Sequence, residues 1–129
     1  MRLTLTLRKS CKTVIALAQA AQRTEDVLTS EFHLDKDAPL SMVTLTHIAK
    51  QGNKAHDDLK KYLGTLSERR ILDIETLFYF GRGDDDNIDR LRAHLKKCGY
   101  PKETLLGKRG DLIAEYIEAA YGLLGHAPL

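Results

Sequence analysis

The chain of 129 residues has no tryptophan, two cysteines and three prolines, and aromatic residues make up only 6% of it. Each scarcity excludes something. Cys11 and Cys98 belong to no CxxC motif and lie far apart, so they form no secreted disulfide framework. They read as small apolar residues in a reducing cytoplasm, the expected compartment. No apolar run approaches the ~18 residues that a membrane helix requires. Lys9 and Lys12 precede Val14–Leu17, and Ala18-Gln19-Ala20 has the look of a cleavage site. That stretch is short and broken by Gln19, so export is not expected. Few prolines and nine glycines suit long regular elements joined by short loops.

What is present is ordinary for a globular protein. Hydrophobic residues are 43% and charged residues 29%, and the length suits one domain over 1–129. The net charge of +2 conceals alternating blocks. Residues 1–23, 50–70 and 92–110 are basic, whereas 24–39, 73–91 and 111–129 are acidic. Such blocks can attract one another across a bundle or a dimer, or simply form solvated faces. The near-neutral total supplies no whole-chain attraction to nucleic acid.

Periodicity predicts an all-α fold, a compact bundle of five or six short-to-medium helices with a short extended N-terminal segment. Leu3, Leu5 and Leu7 alternate with threonine and read as extended. Ser10 then caps a helix over about 11–23, with Cys11, Val14, Ile15, Ala18 and Ala21 on one face. Residues 24–40 read as a loop with a helical turn near Val27-Leu28. Residues 41–50 are ambiguous. Val43, Thr44, Thr46 and Ile48 favour a strand, but Ser41 as a cap and Gly52 beyond the end favour a short helix.

Lys54–Leu63 reads as a helix ended by Gly64. The next opens at Ser67, buries Ile71, Leu72, Ile74, Leu77, Phe78 and Phe80, and ends at a left-handed Gly81. It is the most apolar and is expected at the centre. A helix over about 87–98 follows the acids Asp84–Asp86, with Ile88, Leu91, Leu95 and Cys98 inward and Gly99 as its stop before Pro101. A turn at Glu103–Leu106 leads to a final helix over about 111–123. Its inward residues are Leu112, Ile113, Tyr116, Ile117, Ala120 and Leu124.

The stretch Leu66–Asp84 opens at Leu-Ser-Glu, continues through an apolar run and closes on Gly-Arg-Gly-Asp. It resembles a small bacterial domain family of unknown function. The Leu5–Ala18 region and the pattern Leu105-Leu106-Gly107 followed by Leu112–Ile117 are similar to the same family. The resemblance implies a mostly helical bacterial domain and no particular reaction. Two features depart from it. The family has tryptophan before the motif where this chain has Phe78, Tyr79 and Phe80, and Asp85-Asp86 is this chain's own addition.

Few residues suggest chemistry. Arg82 and Gly83 could form a small anionic-ligand site, glycine allowing close backbone approach and arginine offering a planar fork. The alternative is a helix–loop–helix corner in which Arg82 pairs with a nearby acid. Arg-Gly-Asp occurs at 82–84 and 109–111, each time before a helix, so each aspartate reads as a cap or first-turn acid. Counted from Asp85, an EF-hand would need glycine and glutamate where Arg90 and Lys96 stand. His94 and Cys98 are four apart, which is half a structural zinc site, so no metal or cofactor is expected. Asp73 and Glu75 are two apart on one helix and do not form a carboxylate pair. There is no GxSxG, Walker loop, HExxH or GxGxxG, and hence no catalytic residue to name.

The basic segment Arg92, Lys96, Lys97, Lys108 and Arg109 is a candidate phosphate-contacting surface. The reading favoured by the empty catalytic inventory is a non-enzymatic protein-interaction or self-associating module. Nucleic-acid binding and an Arg82 ligand site are the alternatives.

Overall fold

The computed structural model describes residues 1–31, 54–100 and 102–129. Among them are five α-helices and one 3₁₀ segment, with no strand. The helices are α1 (Leu5–Glu31), α2 (Lys54–Thr65), α3 (Glu68–Arg82), α4 (Ile88–Cys98) and α5 (Gly110–Leu123). The 3₁₀ segment covers Lys102–Gly107. The all-α bundle is therefore what the chain forms. Segment 41–50 and Pro101 lie outside the described residues.

The N-terminus corrects the expected extended segment. Helix α1 starts at Leu5, and Thr4 caps it, its Oγ1 accepting from the Leu7 amide at 3.1 Å. Ser10 is not a cap but a buried residue inside the helix. The alternation of leucines misleads because Leu7 is buried and Leu3 packs partly buried against the core, while Leu5 between them is 77% exposed. Leu7, Cys11, Val14, Ala18 and Ala21 are spaced by four and three, which is one continuous helical stripe. The loop expected from residue 24 is also corrected, because α1 runs on to Glu31. Nothing in 24–31 breaks a helix. The Gln22 amide donates to Asp26 at 3.0 Å, and the Thr24 hydroxyl to the Ala20 carbonyl at 3.0 Å.

Helix α2 buries Leu59 and Leu63 and reaches one residue beyond Gly64. Helix α3 begins as its sequence predicts, with the Ser67 Oγ accepting from the Arg70 amide at 3.1 Å. Every residue from Ile74 to Phe80 is buried, so this helix is covered on several sides. Its end is corrected from Gly81 to Arg82, with Gly83 as the left-handed residue at φ 96°. The amides of Gly83 and Asp84 donate to the Phe80 and Tyr79 carbonyls, both at 3.1 Å, closing a Schellman turn.

Asn87, not an aspartate, caps α4, accepting from the Arg90 amide at 3.0 Å. Leu91 and Leu95 of α4 are buried, but Cys98, expected inward, is exposed at the last residue of the helix. Gly99 ends α4 at φ 63°.

Helix α5 is held between α1 and α3; α2 flanks α1, α4 flanks α3, and the 3₁₀ segment touches both α2 and α3. One buried cluster draws leucine, isoleucine and aromatic side chains from all of these elements. Two glycines set the spacing of the central helices. A Cβ on Gly81 would lie 1.7 Å from the Tyr116 carbonyl oxygen, and one on Gly110 would lie 2.0 Å from that of Ala18. At both places backbone meets backbone, which only glycine allows.

Candidate binding groove between α3 and α4

Helix α3 carries Arg69 and Asp73 four residues apart, and α4 carries Arg92 and Lys96 likewise, so each pair shares a helix face. The two faces meet where Arg92 Nε donates to Asp73 Oδ1 at 2.7 Å in a partly buried ion pair. On either side of this strut lies an open cleft. One, of about 690 Å³, extends toward Arg2, Arg70 and Asp89. The other, of about 700 Å³, extends toward Glu75, Tyr100 and Lys102 and has Leu72 and Leu95 in its wall. Arg69, Arg92 and Lys96 line both, so the two clefts form one trough. Arg92 is committed to Asp73, and the Lys102 ammonium donates to the Leu66 carbonyl. Arg69 and Lys96 have no intramolecular ion pair among the described residues.

Glu75 is the residue that sequence reasoning missed. It lines the second cleft and is only 2% exposed, and its Oε1 has no hydrogen-bond partner among the described residues. Burial pushes its carboxyl up to about 7, against a small opposing pull from Lys108. One signal was available: Glu75 is an acid set inside the apolar run Ile71–Phe80. Asp73 and Glu75 do not act as a pair, since Asp73 holds Arg92 and Glu75 is sunk in the wall.

The Gly81–Asp84 motif forms a corner. Arg82 clasps Asp84 with both arms, Nε to Oδ1 at 2.8 Å and Nη2 to Oδ2 at 2.6 Å, and its guanidinium lies 4.7 Å from the centre of the Tyr79 ring. This fork holds Asp84 below the usual carboxylate range. Arg82 and Gly83 lie outside both clefts. The second Arg-Gly-Asp repeats the arrangement more loosely, with Arg109 Nε at 3.1 Å from Asp111 Oδ1. In the same corner Arg90 binds Asp85 and Asp86, and holds Asp85 far below the ordinary range.

The basic 92–109 segment is not gathered into one patch. Arg92 and Lys96 line the trough, but Lys97 does not. Lys108 sits 5.9 Å from the centre of the Phe78 ring and 5.6 Å from that of Tyr79, and Arg109 is paired with Asp111. What joins Arg92 and Lys96 instead is Arg69 and Arg70, from the preceding basic block. Sequence separation hid this, because a helical hairpin brings residues 69 and 96 to one place.

His94 Nε2 and Cys98 Sγ approach to 3.7 Å, and no third metal ligand joins them among the described residues. No described helix is long and apolar enough to cross a membrane. No family model matches the chain, and no curated protein or solved structure is similar to it.

Proposed function

We propose that this chain is a non-catalytic interaction module whose α3–α4 trough takes an acidic, partly apolar segment of a partner protein. The observation that carries this reading is the pair Arg69 and Lys96. Both line the two clefts along their junction, and neither is committed to an acid among the described residues. Leu72 and Leu95 in the wall suit apolar side chains between the acids of such a segment. Two clefts that share Arg69, Arg92 and Lys96 suit a chain crossing from one to the other better than a single enclosed small molecule. A phosphate backbone fits it less well, because Ile71, Leu72 and Leu95 line one cleft, while Asp73 and Asp89 along the trough are already paired with Arg92 and the Met1 ammonium. Two free thiols, one of them exposed, support a reducing cytoplasm as its setting.

The test is fluorescence anisotropy with an acetylated peptide of alternating glutamate and leucine, beside a single-stranded oligonucleotide of equal charge. The peptide binds at low salt, weakens as salt rises, and loses at least about tenfold in affinity in the double variant Arg69→Glu, Lys96→Glu. Tighter binding of the oligonucleotide would transfer the trough to nucleic acid. A dimer in analytical ultracentrifugation that the same reversals dissociate would assign it to a second copy of the chain. Absence of peptide binding at low salt overturns the reading.

A further inference from the structure

The trough contains one group that a cationic surface for acids does not need, the buried acid Glu75. Its Oε1 is buried without a partner, in a cleft whose wall also includes Ile71, Leu72, Leu95 and Tyr100. A buried polar atom left unpaired costs about 1–3 kcal/mol, and ordinary protein interiors avoid it. Groups left in this condition within a cleft are candidates for contact with a ligand. The charged and titratable groups around it come from every neighbouring element. They are Glu68 and Arg69 on α3, Arg92 and Lys96 on α4, then Tyr100 and Lys102, and Lys108 ahead of α5. Cations outnumber acids here, yet none of them bonds to the Glu75 carboxyl.

We propose that Glu75 is the carboxylate-reading residue of the trough: in its neutral form it donates its O–H to a carboxylate of the bound segment, in the cleft that Lys96 and Lys102 also line. This rests on the trough being the surface that takes acidic segments. The proton balance is simple. The ligand carboxylate arrives ionised and stays so, and Glu75 must hold one proton. Where free Glu75 has lost that proton, binding takes one up from solvent. Acceptance of the partner is thereby coupled to pH around neutrality, where this carboxyl titrates. An ionised Glu75 would instead face the incoming carboxylate as a like charge.

The experiment is calorimetric titration of the intact chain with the same glutamate–leucine peptide, in two buffers of different ionisation enthalpy, from about pH 6 to about pH 8.5. The peptide's own carboxylates titrate near ~4.3 and stay ionised throughout. Above about pH 7 the affinity falls about tenfold per pH unit, and the buffer difference reports uptake of one proton per peptide. Glu75→Gln, which keeps a donor but cannot ionise, binds across the range with a flat profile. A flat wild-type profile overturns the proposal and leaves the acidic-segment reading standing. A slope that survives in Glu75→Gln assigns the proton to another group and likewise overturns it. Affinity that rises with pH means that Glu75 receives a cation, and this too removes the proposal. No binding at any pH defeats the acidic-segment reading, and this proposal with it.

Discussion

Gly81 of α3 lies directly against the Tyr116 carbonyl of α5, so close that a Cβ on the glycine would stand 1.7 Å from the carbonyl oxygen. Among the described residues α3 on α5 is the most extensive helix contact, and Gly81 lies within it. Gly83, two residues on, has open space around its Cβ position but a φ of 96°. The two glycines answer different demands, and alanine separates them. Gly81→Ala must push two backbones apart and is expected to cost about 2–3 kcal/mol. Gly83→Ala only strains one residue and is expected to cost about 1 kcal/mol. Urea denaturation of both variants checks the order.

Gln22 supplies the cap that α5 lacks. Arg109 at the N-cap makes no side-chain cap bond, and the buried Gly110 amide donates instead to Gln22 Oε1 at 3.1 Å. Gln22→Leu leaves that amide buried and unpaired and is expected to cost about 1–2 kcal/mol. Gln22→Glu keeps the acceptor but loses the donor to Asp26 and faces it as a like charge, so it is expected to recover only part of that cost. Thermal melts of the two variants side by side measure the difference.

Glu75 ties stability to pH. In the folded chain its carboxyl holds its proton to about 7, against an ordinary value of 4.5. Between those limits the folded chain keeps a proton that the unfolded chain has released. Its contribution to stability is therefore full below 4.5, falls as the pH rises toward 7, and levels off above that. The total is roughly 3 kcal/mol. Glu75→Gln removes this slope and is expected to be the more stable protein at pH 8. Denaturation midpoints across the pH range show whether the slope belongs to this residue.

The two thiols differ in reach. Cys11 is fully buried, and burial pushes its thiol up to about 12, whereas Cys98 is exposed at the end of α4. Ellman's reagent near neutral pH is expected to modify Cys98 promptly and Cys11 only after unfolding. Cys98→Ser leaves no fast-reacting thiol. Rapid reaction of both cysteines in the folded wild type would contradict the burial of Cys11.

The sequence by itself determined the class of fold and most helix limits. Apolar residues at spacings of three and four, Ser67 before an acid, and Gly99 after a basic last turn are local signals, and local hydrogen bonding acts on them wherever the chain goes. Where two local signals competed, the sequence reading chose wrongly. The leucine alternation at 3–7 suggests an extended chain, but the helical stripe through Cys11 and Val14 includes Leu7; Gly81 and Gly83 both suit a cap, but the left-handed turn falls at Gly83. The clustering of Arg69 with Lys96, the capping of α5 from α1 and the isolation of Glu75 were decided only in three dimensions. Each depends on which helices cross and how closely. That is set by burial of the whole core at once, a sum over distant residues that no local stretch contains.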